Sequence, residues 1–202
     1  MESKANKIID FVKDLDFQNV KNLDLSYKNI LIIEDLKNLE NVTFLNLSNN
    51  QIRKIENLNF LKELRELNLS HNFLKKVENL DNNKLITTLN LSWNQISSWE
   101  NMPNFCKLNF LNLDNNAFEV LKFPDGLKDL KSLSVAMNRI REICIFPNFN
   151  KLEEINFFDN EIEKIPAKIF DNCSKLISLD LSKNKISNLN FLTPLKNLVV
   201  KY

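Results

Sequence analysis

An eleven-residue pattern recurs along this chain at a fixed spacing, and that spacing leaves little freedom in how the chain can fold. The segments are VKNLDLSYKNI from Val20, VTFLNLSNNQI from Val42, LRELNLSHNFL from Leu64, ITTLNLSWNQI from Ile86, LNFLNLDNNAF from Leu108, LKSLSVAMNRI from Leu130, LEEINFFDNEI from Leu152 and LISLDLSKNKI from Leu176. Their starts lie 22 residues apart six times running and then 24 once. Each follows L-x-x-L-x-L-x-x-N-x-I. A unit this short cannot bury its apolar face alone, so the copies must stack and share a core that grows with their number. The 202 residues therefore form one continuous body, which overrides the usual expectation of one or two domains. A stacked array offers a long curved surface and no natural cleft for chemistry, so function is sought on that surface.

Within each copy, x-L-x-L-x reads as a short strand with its leucines pointing inward, and successive strands pair in parallel along the concave side. Eight strands at roughly 4.8 Å spacing give an inner face on the order of 35–40 Å long. The other half of each unit reads I-x-x-I-x-N-L-x-x-L, as from Ile52 to Leu61. Apolar residues at every third position match a 3₁₀-type turn, which predicts a convex back of such turns. The unit that starts at Leu152 is two residues longer and contains IPAKIFDNC, from Ile165 to Cys173. A helical turn is expected there, with Pro166 near its first position. At the start, Ile8, Ile9, Phe11, Val12 and Leu15 outline a short amphipathic helix over residues 4–16, with Ser3 as a candidate N-cap. Residues 1–19 are read as a helical cap, 20–197 as the repeat array and 198–202 as a degenerate ninth unit. In that unit Leu198 falls 22 residues after Leu176, and Lys201 takes the place of the inward leucine.

The asparagine of the motif recurs at Asn50, Asn72, Asn94, Asn116, Asn138, Asn160 and Asn184, and the first copy carries Lys28 instead. Its amide can bond backbone groups of its own and the adjacent unit, which makes these residues structural. Loss of an internal one is expected to cost roughly 1–3 kcal/mol through unpaired buried groups.

Composition narrows the function further. The chain has one glycine, Gly126, so its turns are assigned to Asn and Asp, which tolerate left-handed backbone. A Gly-rich phosphate loop is excluded. The net charge of +1, with both signs interspersed, lacks the concentrated basic face that duplex nucleic acid requires. No apolar run approaches a membrane span. The first residues alternate charge with apolar groups, unlike a signal peptide. Cys106, Cys144 and Cys173 are too scattered for a disulfide framework or a zinc site, and all three are read as buried free thiols in a cytoplasmic or nuclear protein. Sequons at Asn41, Asn46, Asn68, Asn90 and Asn172 mostly restate the strand motif Asn-Leu-Ser rather than mark glycosylation. Glu153, Glu154, Asp159, Glu161 and Glu163 lack a metal-loop pattern and read as a solvated acidic face. His71 stands without a nucleophile. No enzymatic activity, cofactor or metal is expected.

The 22-residue length together with NLSxNxIxxIENLxxLxxL, clearest from Asn46 to Leu69, resembles the SDS22-like subfamily of leucine-rich repeat proteins. The resemblance runs from Val20 to about Leu198. It implies an α/β leucine-rich repeat solenoid, a horseshoe with a parallel concave sheet of about eight to nine strands. Relatives of this kind include a regulatory subunit of protein phosphatase 1, a spliceosomal protein that supports an RNA-binding partner, and axonemal light chains. What they imply is an intracellular binding scaffold without enzymatic activity.

Three columns of side chains are read as facing outward from the strands. Asp24, Asn46, Asn68, Asn90, Asn112, Ser134, Asn156 and Asp180 form a small polar stripe at mid-strand. Immediately before the second leucine of the motif stand Asn22, Phe44, Glu66, Thr88, Phe110, Ser132, Glu154 and Ser178 as an entry column. Just before the ladder asparagine come Tyr27, Asn49, His71, Trp93, Asn115, Met137, Asp159 and Lys183. Exposed aromatic and Met side chains concentrate in protein contacts. Tyr27, Phe44, His71, Trp93, Phe110, Met137 and Phe158 are therefore the candidate partner-binding residues, centred on Phe44, His71, Trp93 and Phe110. The expected partner is a protein on the concave face, bound by a monomer with no direct nucleic-acid contact. A phosphatase-regulatory protein, or a secreted host-exposed binder with its leader removed, stands as the alternative.

Overall fold

A computed structural model describes residues 6–34, 36–99, 102–123, 126–144, 148–166, 168–188, 190–192 and 198–201. Its strands, in chain order, are β1 (Asn22–Asp24), β2 (Phe44–Asn46), β3 (Glu66–Asn68), β4 (Thr88–Asn90), β5 (Phe110–Asn112), β6 (Val120–Leu121), β7 (Ser132–Ser134), β8 (Glu142–Ile143), β9 (Glu154–Asn156), β10 (Ser178–Asp180) and β11 (Val199–Lys201). Nine of them form one parallel sheet in the order β1-β2-β3-β4-β5-β7-β9-β10-β11, while β6 and β8 pair separately on the flank. This is the leucine-rich repeat solenoid, with its sheet along one face and turns along the other.

The register explains why the leucines recur. Leu23 lies over Leu45, Leu45 over Leu67, Leu67 over Leu89 and Leu89 over Leu111. The two leucines of each strand motif point into the core and are almost wholly buried. Strand neighbours are tied by short backbone bonds, such as Leu47 N–H to the Asn68 carbonyl at 2.8 Å and Leu69 N–H to the Asn90 carbonyl at 2.8 Å. On the convex side single turns close three residues back, as in Leu39 N–H to the Leu36 carbonyl at 3.0 Å and Leu61 N–H to the Leu58 carbonyl at 3.1 Å. The apolar residue at every third position faces the core in each such turn.

Four expectations need correction. The helix expected over residues 4–16 is confined among the described residues to α1 (Ile9–Val12). Ile8 precedes it in a turn, and the chain leaves it through a turn in which Leu15 N–H bonds the Val12 carbonyl at 3.0 Å. Ile8 and Val12 are buried in the common core, and Asn6 pairs with Ile30 as an extra bridge; Ser3 lies outside the described residues. The segment IPAKIFDNC is a run of turns rather than a helix, with Ile169 N–H bonded to the Pro166 carbonyl at 3.1 Å and Cys173 N–H to the Phe170 carbonyl at 2.9 Å. Those turns bury Ile169, Phe170 and Cys173 in the core.

The last strand is set one residue short of the 22-residue rule, since Leu179 pairs with Val200 and not with Lys201. A one-residue slip reverses which side chains face inward. Here it turns Val200 toward the core side and leaves Lys201 outward, with its Nζ 3.9 Å from Asp180, which avoids burying an unpaired ammonium. Finally, only Cys173 is buried; Cys144 is half-buried and Cys106 exposed. Cys106 follows Phe105, which takes the inward place and turns the thiol to solvent.

Candidate functional site

The mid-strand stripe is occupied by backbone bonding. A side-chain oxygen of Asp24, Asn46, Asn68, Asn90, Asn112, Asn156 or Asp180 accepts the N–H two residues on, at 2.8–3.1 Å. These are Asx turns, and they bend the chain out of each strand. The remaining copy, sixth in chain order, is Ser134, too short for the task. There Asp114, from the preceding repeat, accepts from Ala136 N–H at 2.7 Å and from the Ser134 hydroxyl at 2.5 Å. The same Asp24 geometry holds its carboxyl below the usual range, chiefly through the Ser26 backbone N–H and then the Ser26 hydroxyl.

The turn that follows places every residue of the pre-asparagine column in the left-handed region: Tyr27, Asn49, His71, Trp93, Asn115, Met137, Asp159 and Lys183 have φ between 53° and 57°. The turns were assigned above to Asn and Asp alone, yet five of these eight are other residue types. A left-handed residue other than glycine costs roughly 1–2 kcal/mol, least for Asn and Asp. The array sustains it because the N–H of every one from Tyr27 to Asp159 is fixed to the next repeat, as for His71 to Ser92 at 2.9 Å and Trp93 to Asp114 at 2.8 Å. The ladder asparagine locks the same turn from inside. Asn50 Nδ2 reaches the carbonyls of Leu25, Leu47 and Ser48, while its Oδ1 accepts from the N–H groups of Lys28 and Ile30. Asn72, Asn94, Asn116, Asn138, Asn160 and Asn184 bond in the corresponding way.

The pre-asparagine residues thus stand on the rim where the sheet turns over, not on the strands. His71 and Trp93 are brought together there, their rings stacked at 5.0 Å and 11°, with Trp93 51% exposed. Tyr27 and Met137 are exposed on the same rim, two or more repeats away from that stack, and Met137 accepts from the Asn115 amide through its sulfur. Phe44 and Phe110 stand elsewhere. They enter strands β2 and β5, three strand steps or about 14 Å apart. Phe110 is exposed, and Phe44 is half-buried in a shallow depression with Asn22, Thr43, Arg65 and Glu66. Phe158 is half-buried under Lys183, whose Nζ sits 4.8 Å from its ring centre.

Three features escaped the sequence reading. Phe73, two residues past His71, adds an exposed ring to the rim; its column otherwise holds mostly polar residues, which was the available signal. On the convex side Asn57 and Asn79 also have left-handed backbone, and their amides bond the carbonyls of Ile33 and Ile55 at 2.6 and 2.7 Å. They mark the N of the I-x-N-L half-motif. Asn83 replaces a core leucine, and its amide reaches the Leu58 and Leu61 carbonyls, both at 2.9 Å.

Among the described residues no group of three or more His, Cys, Asp or Glu side chains is placed to hold a metal ion. None of the helices described is long and apolar enough to cross a membrane. His71 faces a ring rather than a nucleophile.

Comparison with known proteins agrees with the fold. A family pattern described as "Leucine Rich repeats (2 copies)" matches residues 40–82, and a single-copy "Leucine Rich repeat" pattern matches 82–98 and 172–189. No curated protein matches the chain. Among solved structures, an internalin C2 from Listeria monocytogenes is 28% identical, with a TM-score of 0.77 over 92% of this chain and 81% of that one. A TLR13–ssRNA13 complex is 23% identical with a TM-score of 0.71, covering 90% of this chain and 32% of the other. The Toll–Spatzle complex of Drosophila is 21% identical with a TM-score of 0.74, covering 88% and 26%. The chain therefore spans about a third or less of those two chains, and that likeness is one of fold.

Proposed function

We propose that this protein is a non-enzymatic binding scaffold that holds a protein partner on the open sheet and its aromatic rim. One observation carries the reading. Each rim turn demands left-handed backbone, a demand that Asn meets most cheaply, yet Tyr27, His71, Trp93 and Met137 stand there with their side chains exposed. The turn itself gains nothing from these choices, and the one ring stack among them roughly offsets the strain at Trp93. Contact with another molecule does, because stacked and isolated exposed aromatics are what anchor protein interfaces. The solved relatives support the class: one is a complex of Toll with Spatzle, and an internalin shares the fold along most of its length. Cys106 on the surface as a free thiol favours a reducing compartment. Membership in the SDS22-like subfamily is the finer form of this reading, resting on the 22-residue unit.

The test is affinity purification from the native cell with wild-type protein and with a His71→Asn, Trp93→Asn, Phe110→Ser variant. The three substitutions keep turn-compatible or strand-compatible residues, so the melting curve should scarcely move. The partner recovered with wild type should be absent with the variant. Its retention by a folded variant overturns the rim as the contact site.

A further inference from the structure

The outward face of the central strands offers hydrogen-bond donors and few acceptors. Strands β3, β4 and β5 turn Glu66, Asn68, Thr88, Asn90, Phe110 and Asn112 away from the core. Asn68, Asn90 and Asn112 stand side by side in register. Each has its oxygen tied down, since Oδ1 accepts from Ser70 N–H at 3.0 Å, Ser92 N–H at 3.1 Å and Asp114 N–H at 2.8 Å respectively. A fixed oxygen fixes the amide nitrogen at the other end of the same planar group. Among the described residues none of the three Nδ2 groups donates to a protein acceptor, and all three residues are half-buried. Asn46, next in the row, is drawn to the Asp24 carboxyl instead. Only Glu66 among the outward side chains is an acceptor without a donor, and Ser48, Ser70 and Ser92 in the next column are buried. The ladder asparagines inside the core show the contrast: Asn72 and Asn94 each direct Nδ2 at three carbonyls.

Resting on the scaffold reading above, we propose that the partner segment held on this face is proline-rich and crosses β3, β4 and β5 as a polyproline II helix. Charge complementarity between amide dipoles is the argument. A row of N–H groups presents partial positive charge, and the matching ligand presents carbonyl oxygens without N–H groups of its own. An ordinary extended strand carries one N–H for every carbonyl, and those N–H groups would go unpaired here. Proline has no N–H, and in polyproline II the carbonyls stay open to solvent. The spacing selects the same ligand. Asn68 and Asn112 are two strand steps apart, about 9.6 Å, and one turn of polyproline II advances about 9.3 Å. Carbonyls on one side of a β-strand recur at about 6.7 Å, which fits neither one step nor two. Phe110 on the same face and Trp93 on the adjoining rim are exposed and supply the flat rings on which proline packs. A chain of phosphates would call for cations, and the outward side chains of these strands include none.

The probe is a capped oligoproline of about three turns, added to isotope-labelled protein while the asparagine side-chain amides are followed by NMR. Signals of Asn68, Asn90 and Asn112 should shift together. The emission of exposed Trp93 should change with them, since Trp99, the other tryptophan, is buried. Asn90→Asp keeps the oxygen its turn requires, as the native Asp24 and Asp180 do at the same position, and exchanges the donor for an acceptor. That variant should stay folded and bind the oligoproline about fivefold more weakly or worse. Asn156→Asp, in the same column beyond Ser134, should bind as wild type does. Three amide signals that stay unmoved, or undiminished affinity in folded Asn90→Asp, overturn the proline-rich occupant. So does a capped alanine-rich peptide of equal length that binds as tightly, or an oligosaccharide or oligothymidylate that moves the same signals at lower concentration. The native partner separates this from the broader reading. Recovery that survives Asn90→Asp but not the His71→Asn, Trp93→Asn, Phe110→Ser variant overturns the sheet contact and leaves the scaffold standing. Recovery that survives both overturns sheet and rim alike.

Discussion

At Ser134 the side-chain oxygen that bends the other seven turns is missing, and Asp114 supplies it from the neighbouring repeat. The two departures from the motif, Ser for Asn and Asp for Ser, compensate one another. Asp114→Ala should therefore cost about 1–3 kcal/mol by leaving the buried Ala136 N–H unpaired, measured by urea denaturation. Adding Ser134→Asn should restore most of that loss, and a non-additive double-mutant cycle is the signature. Asp24 carries the acidic version of the same turn. Its carboxyl is held below the ordinary value of 3.8, so the stability it contributes is present above that pH and lost as pH falls through the lower folded value. Asp24→Asn, which keeps the accepting oxygen, should flatten this part of the acid limb in a pH series of melting temperatures. Trp93 illustrates what could not be read from the sequence. A tryptophan gives no turn signal, and only the neighbouring hydrogen bonds reveal its left-handed backbone. Trp93→Asn relieves that strain but loses a ring stack of about 0.5–1.5 kcal/mol, so stability should change by less than about 1 kcal/mol.

Among the elements, the sheet was legible because the inward leucines repeat in register, and the asparagine ladder because one polar residue keeps its place among them. The helix at residues 4–16 was overextended, because the same apolar spacing also fits turns that drop side chains into the first repeat's core. The ninth strand broke the period for an electrostatic reason: strict spacing would have aimed Lys201 inward. Asn83 shows a local conflict that the convex turns tolerate. Its Oδ1 is buried without a partner, while the Leu58 and Leu61 carbonyls it touches already accept backbone N–H groups from Leu61 and Leu64 at 3.1 and 3.3 Å. Asn83→Leu restores the residue type found one repeat earlier at Leu61. Removing an unpaired buried acceptor should leave stability unchanged or raise it by about 1 kcal/mol, and a clear fall in the urea midpoint would show that its two amide bonds matter more. Asn79→Ala should do the opposite, losing about 1–2 kcal/mol with its turn-locking bond and its tolerance of left-handed backbone.

Across the whole molecule the three thiols report how tightly the stack is closed. Burial raises the Cys173 thiol to about 12, so at mildly alkaline pH it stays protonated and shielded, whereas Cys106 is exposed. Alkylation followed by mass spectrometry should modify Cys106 at once and Cys173 only as the array unfolds. Equal rates would mean that the last repeats open far more readily than the continuous core suggests. The placement of the binding rim was only half legible for a similar reason. A period names which residues share a column, but the bend after each strand decides where that column points. One further consequence belongs to the strand register, in which each strand bonds to the one about 22 residues on. Those bonds lie along the stacking axis, so a load drawn between the two ends is carried by every interface in series. The weakest parts first and pays out about 22 residues, roughly 75 Å of chain at full extension. Under tension the protein should lengthen in steps of that size and fold back as the force relaxes, a spring whose increment is written in its repeat length.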